Sequence, residues 1–494
     1  MASLNYLALD LGAESGRAMI GQFDGERLQI SEAHRFANLP VRLPDGLHTD
    51  VLRIWAEINQ GMAQAARACG GVLAGIGVDT WGVDFALLDR QGGLMANPYQ
   101  YRDSMTNGIL EKAFAMVPRR QIFETTGVQF MQINTLFQLL ALKLRGSPLL
   151  DAAARLLMIP DLINYWLSGA EVCEFSIATT SQCYDPRQGD WARSLLAAFG
   201  LRDEIFPQVV PPGTVLGSLH PALGEDAVLA QGVPVIAPAC HDTALAVAAV
   251  PARKPDFAYI SSGTWSLLGA ELSEPSINAA SLEHNFTNEG GVGHTYRFLK
   301  NLTGLWLVQE CKRSWARRGE NLSYSDLTAM AAQAEPLRAL VNGDSPEFAA
   351  PGKMPERIQA FCRRTGQPVP ESKGEIVRCA LESLALSYRL ALGQLEDVLG
   401  RRLDPLHIVG GGTQNRLLNQ LAADATGRQV VTGPIEATVV GNVLMQAVAL
   451  GHLASLDELR AVVRRSFEVS TYDPVHTPAW EDAYEKFLKL KEAS

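Results

Sequence analysis

Four residues in a row, Cys240-His241-Asp242-Thr243, are the only polar cluster in a long apolar stretch, Val233 to Val250. Two ionisable side chains in such surroundings carry a desolvation cost. Either Asp242 only caps a helix, or the chain uses it as a carboxylate that accepts a proton. A second acid, Asp10, ends the apolar run Tyr6 to Leu9 and stands just before Gly12, Glu14, Ser15 and Gly16. Glycine there permits positive φ and lets backbone N–H groups face an anion. An acid beside a phosphate repels it unless a divalent cation lies between them. Asp10 is therefore read as a Mg²⁺ position at a nucleotide-phosphate site, with an ordinary hairpin and a surface acid as the plain alternative. A third group, Asp79, Trp81, Gly82 and Asp84, falls inside the apolar stretch Gly75 to Asp89. Polar and aromatic side chains at a strand end, beside a glycine, suit sugar recognition; a structural hairpin with a core tryptophan is the other reading. Arg102 and Asp103 are adjacent and suit either hydroxyl binding or a surface ion pair.

The elements that must hold these residues follow from periodicity. Tyr6 to Asp24 is two apolar runs around a Gly/Ser turn, which predicts a β-hairpin. Phe257 to Leu272 repeats the plan about 250 residues later, with Ser261, Ser262, Gly263 and Thr264 at the turn. Two such hairpins suggest two halves built alike, facing each other across a cleft, as in actin-like ATPases; that step is fold-level analogy. Between them, Ile54, Ile58 and Met62 recur at helical spacing, and Leu136 to Leu144 and Leu156 to Leu167 read as core helices. Val233 onward reads as strand, polar interruption, helix. Asn285 to Gly293 reads as a loop and Tyr296 to Leu299 as a strand, with Asn301 and Gly304 opening a helix that carries Gln309. Ser372 and Glu375 form a capping-box pattern before a long helix that stops at Gly400. Leu406 to Gly412 runs into Thr413, Gln414 and Asn415 as strand, glycine turn and helix, a turn that admits a base or phosphate. Glu436 to Gly451 reads as one more helix, with Gly441 allowing close packing beneath the base. One division near 245/246 separates a sugar-binding, phosphate-hairpin half (1–245) from a nucleotide-binding half (246–494).

Composition narrows the classes. Lys plus Arg is 43 and Asp plus Glu is 53, so the 494-residue chain carries a net charge of −10. An acidic chain without basic blocks gives no support for nucleic-acid binding. Seven scattered cysteines without a C-x-x-C pair indicate neither a zinc site nor a disulfide framework. No signal peptide or membrane span is evident, so a cytoplasmic location is expected. There is no G-x-x-x-x-G-K-[ST], no H-R-D or D-F-G and no H-E-x-x-H, which excludes P-loop NTPases, protein kinases and zincins.

With these stretches in hand, the chain resembles the FGGY carbohydrate kinases. The resemblance is carried by DLGAESGR (Asp10 to Arg17), DTWGVDFALLD (Asp79 to Asp89), YRDSMTNG (Tyr101 to Gly108) and HDTA (His241 to Ala244). It continues in SSGTWSLLG (Ser261 to Gly269), TNEGG (Thr287 to Gly291), KNLTGLW (Lys300 to Trp306) and LHIVGGGTQN (Leu406 to Asn415). It implies an α/β fold of two actin-like, ribonuclease-H-like ATPase domains with a nucleotide cleft between them. It implies transfer of the ATP γ-phosphoryl group, with Mg²⁺, to the 1-hydroxyl of L-rhamnulose; L-fuculose and L-ribulose are the alternatives. By the same resemblance Ala13, Glu14, Ser15, Gly16, Arg17 and Thr264 would hold phosphates, and Gln309 and Gly411 would line the nucleotide side. Gly82, His241, Asp242, Thr243 and Asn301 would face the sugar, with Asp242 as the base. Glu14 and Thr413 stand where relatives often carry a small hydroxyl residue or cysteine, so only their backbone is expected to matter. Met105 replaces a residue often basic in relatives. The other function class is an actin-like ATPase working as a chaperone or filament, which needs an activated water and no sugar pocket. Partners are a small sugar and ATP, with no nucleic acid, no membrane and a monomer or dimer left open.

Overall fold

The computed structural model describes residues 3–492. The chain forms two compact units. The first runs to Ala249 and takes back Glu271–Phe298 and Ala437–Phe467; the second comprises Val250–Ala270, Leu299–Glu436 and the residues from Glu468 onward. The chain therefore changes unit several times, whereas the reading from sequence has one division.

In the first unit a six-stranded sheet has the order Thr214–Ser218, Pro234–Ala237, Gly75–Thr80, Leu4–Leu11, Ser15–Phe23, Leu28–Ala37. Leu4–Leu11 and Ser15–Phe23 are the expected antiparallel hairpin, with Asp10 opposite Arg17 and Leu11 opposite Gly16. Gly75–Thr80 is no hairpin arm. It runs parallel to the first strand and sets Asp79 beside Asp10. Its neighbour Pro234–Ala237 is also parallel to it, so the ends of these strands lie together. The strand interiors are near-continuously apolar because both faces are covered. One cover is Val51–Ala68, started by Asp50, whose side chain accepts from the Arg53 N–H, and burying Ile54, Ile58 and Met62 at a spacing of four. Each fully buried aliphatic side chain of this kind stabilises by roughly 1.5–3 kcal/mol.

A second cover is Ala437–Ala449, a helix as expected. Gly441 permits a close approach: a Cβ there would run into the Leu245 backbone, in the same unit, so the glycine fits this helix against Asp242–Ala248. Gly77 serves the same close approach. A Cβ on it would lie 2.5 Å from Asn442 Oδ1 and 2.7 Å from Gln446 Nε2.

Three local readings are corrected. Arg155–Met158 is a strand, antiparallel to Phe85–Leu88, and the helix begins only at Ile159. Thr287–Gly290 is a fully buried strand where glycine content suggested a loop. Asn301 sits within the strand Tyr296–Thr303, and the helix that follows is Trp306–Ala316.

The second unit repeats the plan. Its sheet contains Trp265–Leu272, Ala258–Ser262, Leu406–Val409, Val430–Thr432 and Ser470–Tyr472 in that order. The first pair is an antiparallel hairpin; Ala258–Ser262, Leu406–Val409 and Val430–Thr432 are parallel. Beside it runs Lys373–Leu399, with the Ser372/Glu375 capping box formed as read and Gly400 at φ 65° ending it.

Candidate active site

At the mouth of the first hairpin the turn is closed by its own backbone. Gly12 N–H donates to Ser15 O at 2.9 Å, and Asn38 braces it through Gly12 O and Glu14 O at 2.9 and 3.0 Å. Ala13 and Ser15 are half-buried, Gly16 is buried and Glu14 points outward, 3.9 Å from Arg102. Arg17 Nε donates to Asp10 Oδ2 at 3.1 Å and Nη2 reaches the same oxygen. Asp10 is thus an ion-paired, largely buried carboxylate, not a surface acid. Asp103 turns inward and accepts from the Leu47 and Met105 N–H groups at 2.7 Å each, so it acts as a turn brace. Met105 is buried.

Asp79 is completely buried. Asn442 Nδ2 donates to its Oδ2 at 2.6 Å, while Oδ1 has no hydrogen-bond partner among the described residues. Burial pushes its carboxyl well above the usual range, and the negative charges of Asp10 and Asp242 push the same way. The charges of Asp10 and Asp242 thus both bear on Asp79. Among the described residues no group of three or more His, Cys, Asp or Glu side chains is arranged to hold a metal ion.

The strand ends bring Gly82 to the Asp242 cluster. Thr80 N–H donates to Cys240 O at 2.9 Å, and Thr80 bridges to His241. Gly82 follows, against Thr180, whose hydroxyl accepts from the Val83 N–H at 3.2 Å. Trp81 Nε1 donates to Asp84 Oδ2 at 3.0 Å. Burial raises the Asp84 carboxyl to about 7, against the opposing bonds from Trp81 and Gln138.

Asp242 opens the helix Asp242–Ala248 and is one-third exposed. Its Oδ1 accepts from Thr243 N–H at 2.5 Å and Thr243 Oγ1–H at 3.0 Å, and lies 3.4 Å from His241 Nε2. His241 is buried, with Arg297 Nη2 at 3.0 Å from Nδ1 and Glu289 Oε2 at 3.4 Å. Sequence reasoning gave neither Arg297 nor Glu289 a role. It also missed Glu174. This fully buried carboxylate accepts from Ser176 N–H (2.9 Å), Ser176 Oγ–H (2.5 Å), Ile177 N–H (3.3 Å) and Cys240 N–H (2.8 Å), and Ser176 Oγ accepts from His241 N–H at 3.1 Å. Glu174 thereby fixes the backbone that presents His241 and Asp242. The available signal was an acid inside the apolar run Val172 to Ala178.

In the second unit the hairpin turn rests on a helix start. Gly304 N–H donates to Thr264 O at 3.1 Å and Leu305 N–H to Gly263 O at 3.0 Å, just before Trp306–Ala316. Gly304 has to be glycine, since a Cβ would stand 2.6 Å from Trp265 C and 2.8 Å from Gly263 O. Gln309 lies one turn along that helix, with a buried Oε1 that has no hydrogen-bond partner among the described residues. Gly411 opens the turn after Leu406–Val409 with nothing near its missing side chain, while Gly410 and Gly412 pack on Ser262. Thr264, the start of the Gln309 helix and the Gly411 turn thus share one end of this sheet. Asn301 is half-buried on its own strand in the same unit.

Two family models match, described as the FGGY family of carbohydrate kinases, N-terminal domain, over residues 5–249, and C-terminal domain, over residues 258–450. A rhamnulokinase of Bacteroides thetaiotaomicron is 43% identical over 98% of this chain and 98% of its own. One from an Enterobacter species is 41% identical over 96% and 95%. Among solved structures, ligand-bound xylulose kinase from Lactobacillus acidophilus has a TM-score of 0.82 at 16% identity, covering 99% of this chain and 97% of that one. Plasmodium falciparum glycerol kinase with ADP has 0.79 at 15%, covering 99% and 97%. The fold is therefore the two-domain α/β, actin-like ATPase type that the paired hairpins implied. Among the described residues no helix is long and apolar enough to cross a membrane.

Proposed function

We propose that this chain, which belongs to the FGGY family of carbohydrate kinases, transfers the ATP γ-phosphoryl group to the 1-hydroxyl of L-rhamnulose, giving L-rhamnulose 1-phosphate. ATP use follows from the family. The observation that carries the substrate is the near-full-length similarity to the rhamnulokinases. In this reading Gly82, His241, Asp242, Thr243 and Asn301 meet the sugar, so residues 1–245 supply most of the sugar contacts and one phosphate hairpin, and residues 246–494 supply the rest of the nucleotide site. Ala13 to Arg17, Thr264, Gln309 and Gly411 meet ATP. Asp242 is the base: a one-third exposed carboxylate at a helix start, its Oδ1 fixed by Thr243.

The donor set suits Mg²⁺. That ion takes one or two carboxylates plus phosphates and water, not a dedicated protein cage, so the lack of a three-ligand cluster is no obstacle. Asp10 and the unpartnered Oδ1 of Asp79 would hold it, with Arg17 competing for Asp10. Bound there, the ion supplies charge neutralisation for the phosphates. Asp10→Ala is expected to raise the Mg²⁺ concentration needed for half-maximal rate and to lower kcat, leaving sugar affinity almost intact. An unchanged Mg²⁺ titration removes Asp10 from this role.

The substrate is tested by a coupled assay over a ketose and polyol panel. L-Rhamnulose should give the highest kcat/KM, because a hydrogen-bonding pocket strongly rejects analogues that lack a needed hydroxyl. Equal or better turnover of L-fuculose, L-ribulose or glycerol overturns the assignment. ATP hydrolysis that sugar does not accelerate returns the chain to the chaperone or filament class.

A further inference from the structure

We infer that Arg297 and Glu289 are positioning residues that hold His241 as its Nε2–H tautomer, so that Asp242 Oδ1 is fixed and Oδ2 is the atom that takes the sugar proton. The inference rests on Asp242 being the base.

Arg297 is completely buried, on the strand Tyr296–Thr303. Its Nε donates to Gly290 O at 2.8 Å, which sets the plane of the guanidinium. Its Nη2 lies 3.0 Å from His241 Nδ1 and 3.1 Å from Glu289 Oε2. A guanidinium has five N–H donors, no acceptor, and does not deprotonate. The 3.0 Å contact is therefore a hydrogen bond only if Nδ1 carries a lone pair. In a neutral imidazole the proton then sits on Nε2.

Glu289 could in principle take a proton from Nδ1, at 3.4 Å. It is closer to Arg297, and burial, which alone would raise its carboxyl, is outweighed by the Arg297 charge and the His241 contact, so it stays below the usual carboxylate range. Glu289 Oε2 pairs with Arg297 by charge but accepts no hydrogen bond among the described residues, so the hydrogen bond at Nδ1 is the one with Arg297.

The other ring nitrogen looks onto the proposed base. Nε2–H lies 3.4 Å from Asp242 Oδ1. Thr243 already places an N–H and an O–H on that same oxygen. Two hydrogen bonds and the His241 ring edge thus converge on Oδ1, and no described residue donates to Oδ2. As the sugar oxygen bonds to phosphorus and the bond to ADP breaks, the hydroxyl proton goes to Oδ2 and is later released to solvent. With the opposite tautomer, a bare Nε2 lone pair would face Oδ1 and repel it.

The test is a long-range ¹H–¹⁵N spectrum of the full chain with labelled histidine. The nine histidines are sorted by His241→Gln. Wild type should show His241 with a protonated Nε2 and a bare Nδ1. Arg297→Met removes the donor and leaves Glu289 alone at Nδ1, which should gain a proton. kcat for L-rhamnulose should then fall about 10- to 100-fold, the range for residues that orient a histidine from behind, with KM for ATP unchanged. Glu289→Gln should keep the Nε2–H signal. A protonated Nδ1 in wild type overturns the inference, even if Arg297→Met fails to fold. So does a folded Arg297→Met with wild-type spectrum and kcat. If L-rhamnulose is not a substrate the tautomer is still read, so failure of the proposed function and failure of this inference are told apart.

Discussion

The two hairpins share a backbone plan and differ in charge. At the first, Asp10 and Arg17 face each other across the ladder, with buried Asp79 alongside and Asp242 close enough to shift it. At the second, Ser261, Ser262, Gly263 and Thr264 carry no charge, and the turn is braced by Gly304 and a helix start. On the function proposed above, one device serves two tasks: the carboxylate-rich hairpin handles proton and metal charge, and the neutral one grips a polyanion with hydroxyls and backbone N–H groups. The contrast teaches that substitutions near the first hairpin should act on kcat and those near the second on KM for ATP.

The strongest way to break that contrast is Asp242→Asn. It keeps the shape and much of the hydrogen bonding but removes the proton acceptor. kcat is expected to fall by about 10²- to 10⁴-fold with little change in either substrate's affinity. Single-turnover rates with calorimetric binding check this. A variant within about threefold of wild type would make Asp242 a helix cap only, since Asn caps nearly as well.

A smaller effect should come from Gly304→Ala. The new Cβ meets backbone at 2.6 and 2.8 Å, and backbone cannot swing aside. The second turn must shift, and KM for ATP should rise about tenfold, or ~1.4 kcal/mol, with kcat affected less. Steady-state kinetics in ATP check this; a fall in kcat at unchanged KM for ATP would give the second turn a role in the chemical step.

The smallest change in turnover should follow Asp84→Asn, which marks where the first region's chemistry stops. Burial holds the folded Asp84 carboxyl at about 7, above its ordinary 3.8. Between those values the folded chain keeps a proton that the unfolded chain releases. Its share of stability is complete at the acid end and lost as pH rises through about 7, at ~1.4 kcal/mol per pH unit. Thermal melts of Asp84→Asn should therefore decline less between pH 5 and 8 than those of wild type, at nearly unchanged kcat. Parallel melting profiles would show that Asp84 does not titrate in this window.

Both hairpins and the Asp242 interruption are legible in the chain because their signals are local: a Gly/Ser turn between apolar runs, and polar residues where none are expected. Arg155–Met158 was misread because a short apolar run fits a strand or a helix equally well. Thr287–Gly290 was misread because glycine hides a strand that tertiary burial imposes. Arg297 and Glu174 were beyond reach for another reason. Each acts on His241 or its backbone from 56 or more residues away; the acid Glu174 in an apolar run marks a buried charge, but nothing near either residue names its partner. Asn442, whose partner Asp79 precedes it by 363 residues, is the extreme case.

That last contact bears on how the molecule is made. Ala437–Ala449 supplies Asn442 to Asp79 and Gln446 to the Leu7 carbonyl, both inside the first unit. A ribosome that has finished Ala249 must still add about 200 residues before this helix exists, or roughly 10–40 s at typical elongation rates. Over that interval Gly75 and Gly77 present bare backbone to the cell, and the Asp79 carboxylate has no amide to meet it. The nascent chain is thus most exposed to misfolding and to chaperone capture between those two points of synthesis, and slowing translation within residues 250–436 should lower the yield of active enzyme more than slowing it after residue 467.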